Sequence, residues 1–87
     1  MLDERNGFYI TKDGYIDLTP LETKCLSYFI ERKNQKTPVQ LLANYLYNTT
    51  NTAKAILMVH RLNKKLAGYI KIHNHRPLGY QIQYIGD

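Results

Sequence analysis

A single cysteine, Cys25, leaves this 87-residue chain no internal disulfide and too few thiols for a cysteine-built zinc cage. It falls in an apolar stripe at helical spacing, the setting of a small buried hydrophobe rather than of a nucleophile. No apolar run approaches the roughly 20 residues of a membrane-crossing helix. The opening MLDERNG has neither the basic start nor the apolar middle of a signal peptide. The expectation is a cytoplasmic chain with no membrane partner. Also missing are a nucleophile with an adjacent base, a glycine-rich phosphate loop and carboxylates paired at helical spacing. No two catalytic roles converge, so neither an enzyme nor a bound cofactor is expected.

Acid is scarce in one half only. Residues 1 to 45 carry six Lys and Arg against six Asp and Glu, whereas residues 46 to 87 carry Lys54, Arg61, Lys64, Lys65, Lys71 and Arg76 against Asp87 alone. The C-terminal half therefore holds the whole net charge of +5. Such segregation is the footprint of a surface for a polyanion, nucleic acid first among them, although a basic face kept for solubility has the same composition.

The length allows one domain with a modest core. Residues 1 to 7 read as an N-terminal coil and residues 8 to 87 as the domain. Phe8 to Thr11 and Tyr15 to Leu18 flank Lys12-Asp13-Gly14 and predict a β-hairpin. Thr19-Pro20-Leu21-Glu22 combines an N-cap threonine, a proline at the first helical position and a glutamate placed to reach back, so a helix begins there and runs to about Arg32. Thr37-Pro38-Val39-Gln40 repeats the signal for a second helix through Leu46. Asn48 to Asn51 is a turn of self-bonding side chains, and one of these or Thr52 is expected to cap a third helix. Beyond Ala67-Gly68, Tyr69 to Ile72 and Tyr80 to Tyr84 alternate as two strands around a polar loop, His73 to Gly79. Two helices joined by a short turn and followed by a hairpin predict an α+β winged helix-turn-helix, the last hairpin being the wing.

The third helix, Thr52 to Ala67, organises the rest. Ala55, Val59, Leu62 and Leu66 recur at helical spacing and make one apolar stripe. The opposite arc carries Lys54, Leu57, Arg61, Lys64 and Lys65 with no acid among them, so its cations lack an intrahelical partner.

Three strings then fall in a recognisable order: Leu18-Thr19-Pro20-Leu21-Glu22, the run Ala55 to Leu66 with its Arg61-Leu62-Asn63-Lys64-Lys65-Leu66 ending, and Arg76-Pro77-Leu78-Gly79-Tyr80. Across residues 8 to 84 the chain resembles the C-terminal effector domain of the OmpR/PhoB family of bacterial response regulators, the output modules of two-component systems. The resemblance implies sequence-specific binding of double-stranded DNA in transcription regulation, the third helix in the major groove and the wing at the neighbouring minor groove. It also implies head-to-tail dimers on direct repeats and, in activators, contact with RNA polymerase. On it, Arg61 matches a base-reading position and Arg76 the minor-groove arginine, while Leu57 matches an apolar position that meets a thymine methyl. Lys54, Lys64 and Lys65 are assigned to phosphate, and Met58, His60 and Asn74 complete the candidate DNA-contact set. Family members carry a larger sheet before the first helix and a receiver domain before that. The chain is accordingly expected to be either a piece of a longer regulator or a protein that stands alone.

Other readings stay open from sequence. A winged helix can serve as a protein-docking module, which predicts an exposed apolar patch and little salt dependence. RNA binding would use stacked aromatic residues, and the basic helix face has none. His73, His75 and His60 lack a nearby carboxylate or thiolate, so no metal site is expected and contact with solvent or phosphate is the reading for the wing.

Overall fold

In a computed structural model describing residues 1–86, the chain is an α+β winged helix-turn-helix in which three helices stand between a small N-terminal sheet and a C-terminal hairpin. Asp87, the single acid of the basic half, lies outside the described residues. The N-terminal sheet has strands β1 (Leu2–Asp3), β2 (Phe8–Thr11) and β3 (Gly14–Asp17), paired antiparallel in that order. The expected coil over residues 1 to 7 is thus corrected. Leu2 pairs with Tyr9 and Asp3 with Phe8, and residues between them turn back through Gly7, whose φ of +73° suits a residue without Cβ.

Helix α1 (Pro20–Glu31) begins as the sequence predicts. The Glu22 amide donates to Oγ1 of Thr19 at 3.1 Å, and the Thr19 amide donates to Oε1 of Glu22 at 2.8 Å, closing the capping box with Pro20 at the start. Helix α2 (Val39–Tyr47) departs from expectation. Thr37 does not cap it. Instead Thr37 forms an antiparallel bridge with Tyr80, each amide donating to the other's carbonyl at 2.8 Å, and the helix starts after Pro38 without a side-chain cap. Thr37 is buried, and its main chain finds a better partner in a strand edge than in a helix turn.

Asn48 ends α2 in the left-handed region at φ +52°, a conformation asparagine tolerates better than most residues. Helix α3 (Ala53–Lys65) follows with Thr52 at its N-cap making no side-chain cap bond, while Oδ1 of Asn51, one residue earlier, accepts from the Ala53 amide at 2.9 Å. Strands β4 (Ile70–His75) and β5 (Gly79–Tyr84) form the wing. They run further than the sequence pattern indicates, so His73, Asn74 and His75 lie on a strand and the tip is only Arg76-Pro77-Leu78.

The core joins α1, α2, α3 and the base of the wing. Leu26, Phe29, Leu42, Val59, Leu62, Leu66 and Ile70 are fully buried, as is Cys25. Burial pushes the Cys25 thiol up to about 12, with the Glu22 charge adding to the effect, so the thiol stays protonated. Among the described residues no helix is long and apolar enough to cross a membrane.

Candidate nucleic-acid interface

The buried stripe of α3 fixes what its other faces can do. Ala55, Met58, Val59, Leu62 and Leu66 face the core, which turns Leu57, His60, Arg61 and Lys64 outward. Leu57 is 60% exposed, an unusual position for a large apolar side chain on a helix with so buried an inner face. Lys54 is exposed too, its Nζ 5.7 Å from the ring centroid of Tyr47. Arg61 stands on that same flank. Burial pushes the Tyr47 phenol up, Cys25 adds to the rise, and the nearby Arg61 charge opposes it.

The other flank of α3 faces the wing across a groove of about 610 Å³. Its charged and titratable lining comprises His60 from α3, Lys71 and His73 from β4, Arg76 from the tip and Tyr80 from β5; Asn63, Asn74 and Gln40 add polar groups, and among the described residues no carboxylate lines it. At one end lie Pro38, Val39 and Gln40, the uncapped start of α2, whose first turn holds no acidic residue. Free amides at a helix start favour an anion, so this end of the groove has the same electrostatic preference as its cations.

Asn63 sets the distance between helix and wing. Its Nδ2 donates to the Ile72 carbonyl at 3.1 Å, and the Ile72 amide donates to its Oδ1 at 2.7 Å. The side-chain amide thereby behaves as a peptide unit added to the open edge of β4. On the far edge of the hairpin the Thr37 bridge to Tyr80 does the same with main chain, and Gln81 Nε2 donates to the Lys33 carbonyl at 3.0 Å. The wing is held from both sides.

Of the residues singled out by sequence, His60, Asn74 and Arg76 meet around the groove, while Lys54, Leu57, Arg61 and Lys64 lie exposed on the adjoining ridge of α3. Among the described residues none of Lys54, Arg61, Lys64, Lys71 and Arg76 enters an ion pair. Two candidates are corrected. Met58 is 1% exposed, packed in the core on the edge of the buried stripe, and cannot reach a partner. Lys65 turns toward α1, where Nζ is 2.6 Å from Oε1 of Glu22 and 2.9 Å from the Asp17 carbonyl, so its charge is neutralised within the fold. Lys71, Gln40 and Asn63 were not in the sequence-derived set. The alternation of β4 could have found Lys71, which stands between the buried Ile70 and Ile72; Asn63 carries no local signal, because its partner is on another element.

Neither a scan of protein-family models nor a search of curated proteins returns a match to this chain.

Proposed function

We propose that this chain binds double-stranded DNA sequence-specifically, as a transcriptional regulator of the bacterial cytoplasm like the OmpR/PhoB-type effector domains it resembles. The observation that carries the reading is a set of cations without ion-pair partners among the described residues, Lys54, Arg61 and Lys64 exposed on α3 and Lys71 and Arg76 lining the groove between α3 and the wing, with no carboxylate among the described lining residues. In this reading the exposed ridge of α3 enters the major groove, whose width of about 12 Å admits a helix. The planar fork of Arg61 suits O6 and N7 of guanine, and Leu57 meets a thymine methyl. Arg76 reaches the neighbouring minor groove, where a narrow A·T-rich segment concentrates negative potential. Lys54, Lys64 and Lys71 act as point charges on phosphate, and the sugar-phosphate strand between the two grooves of the duplex lies over the start of α2.

Head-to-tail pairing on direct repeats and contact with RNA polymerase follow from the resemblance alone. Selection of bound sequences from random duplexes at about 0.15 M salt, a level that already screens loose adsorption, tests the reading. The expected result is an enriched motif, with affinity falling on a log-log salt plot by roughly 0.9 for each phosphate neutralised. No enrichment together with a flat salt response would overturn it in favour of a protein-docking module.

A further inference from the structure

The chain has three histidines, and all of them lie on or beside one groove. His60 lines it from α3 and His73 from β4, while the ring of His75 lies with its centroid 6.0 Å from that of His73. Nε2 of His73 lies 2.5 Å from Oε1 of Gln83 on β5. Imidazole is the side chain whose charge ordinarily changes between about pH 5 and 8. Nowhere else among the described residues does the protein hold a group of this type.

We infer that the groove between α3 and the wing is a proton-linked site for a phosphodiester strand, taking up protons on His60, His73 and His75 as the strand binds. This rests on the DNA-binding reading above and adds a condition on it. The groups facing the imidazoles determine the direction of the effect. From α3 comes Asn63; from β4 and the tip come Lys71, Asn74 and Arg76; from β5 come Tyr80 and Gln83; from α2 comes Gln40. No carboxylate is among the described residues lining the groove, while Lys71 and Arg76 are. A bound phosphodiester brings negative charge into the groove, and a nearby anion favours the cationic form of an imidazole. Binding then draws protons in, and falling pH strengthens binding because each proton adds a positive charge toward the anion.

The phosphodiesters and bases of duplex DNA do not titrate in the same window, so a pH dependence reports on the protein. The measurement is fluorescence anisotropy with a labelled mixed-sequence duplex of about two helical turns, from about pH 8 to about pH 6 at fixed ionic strength. Affinity is expected to rise at least roughly tenfold, the gain for one proton taken up over one pH unit. The slope against log salt should steepen over the same range, since charged imidazoles neutralise further phosphate. His60→Gln and His73→Gln, both at solvent-accessible positions, should each reduce the pH dependence. Should a variant fail to fold, calorimetry of the unaltered protein in buffers of different ionisation enthalpy decides the question. A net uptake of about one proton or more near pH 7 is expected, whereas zero uptake overturns the inference. Tight binding with no change between the two pH limits also overturns it while leaving DNA binding intact. Failure to bind duplex at any pH removes the parent reading itself.

Discussion

Lys65 and Glu22 form a charge pair whose acid is wholly buried and whose base is about one-third exposed, with 2.6 Å between Nζ and Oε1. The pair fastens the last turn of α3 to the first turn of α1, and Glu22 serves the capping box at the same time. Lys65→Ala would leave the buried carboxylate with the Thr19 amide donating to Oε1 and no partner on Oε2 among the described residues. A loss of about 1 to 3 kcal/mol is expected, below the range for fully buried pairs because Lys65 is part-solvated. Urea denaturation reads the loss. In DNA titrations the same variant should keep the wild-type salt slope, in contrast to Lys64→Ala, which should lower it by about 1. A lowered slope with unchanged stability for Lys65→Ala would show that this lysine serves phosphate after all.

The same carboxyl governs an acid limb of stability. Burial pushes Glu22 up, but the hydrogen bonds from Lys65 and the Thr19 amide, together with the Lys65 charge, outweigh it and hold the group below its ordinary value of 4.5. A folded-state value below the unfolded one means that the stabilisation is fully present above the unfolded value and is lost as pH falls through the folded one. Thermal melts from about pH 6 to about pH 3 should therefore show a steeper decline for the wild type than for Glu22→Gln, which has no proton to gain there. Parallel declines would mean that other carboxylates carry the acid limb.

Legibility followed the range of the interactions. The start of α1 could be read because its capping box closes within four residues, and α3 because Ala55, Val59, Leu62 and Leu66 keep helical phase. Thr37 was misread for the opposite reason: its Pro-containing context imitates a cap, and the Tyr80 strand that captures it is far along the chain. Strand β1 is too short for alternation to show. At the candidate site, the exposed cations of the ridge came from the helix phase alone. Met58 was missed because α3 is covered over a wider arc than one stripe implies, and Lys65 because its destination is an acid on α1.

Asn63 offers a test of how the wing is held. Asn63→Ala removes both bonds to Ile72 at a part-buried edge and should cost about 1 to 3 kcal/mol. Asn63→Asp retains the acceptor for the Ile72 amide but sets a carboxylate against the Ile72 carbonyl, so it should not restore the wild type. Hydrogen exchange at the Ile72 amide separates the cases, with protection lost in the alanine variant. Undiminished protection there would show that the hairpin needs no anchor from α3.

Two glycines separate strain from collision. Gly14 and Gly79 both have φ near +125°, at +129° and +124°. A Cβ at Gly14 would meet open space, whereas one at Gly79 would run into the carbonyl of Thr37, the residue that bridges to Tyr80. Gly14→Ala should cost about 1 to 3 kcal/mol from backbone strain alone. Gly79→Ala should cost distinctly more, because the bridge must open as well. Equal shifts in melting temperature for the two would mean that Thr37 can yield without loss.

Arg61 and Leu62 are adjacent in sequence and opposite in environment, one exposed on the ridge and the other fully buried beneath it. Leu62→Ala deletes core methyls where α3 meets the rest of the fold and should destabilise by about 2 to 5 kcal/mol. Its effect on DNA binding should vanish at temperatures where the variant remains folded. Arg61→Ala should leave stability within about 0.5 kcal/mol, as exposed substitutions do. It should nevertheless cost about 1 to 3 kcal/mol in discrimination between the selected motif and a single-base variant of it. The comparison asks whether the ridge reads bases or only carries charge. If Arg61→Ala weakens binding to all duplexes equally, the arginine is a phosphate contact and base reading must lie with Leu57, His60 or the wing.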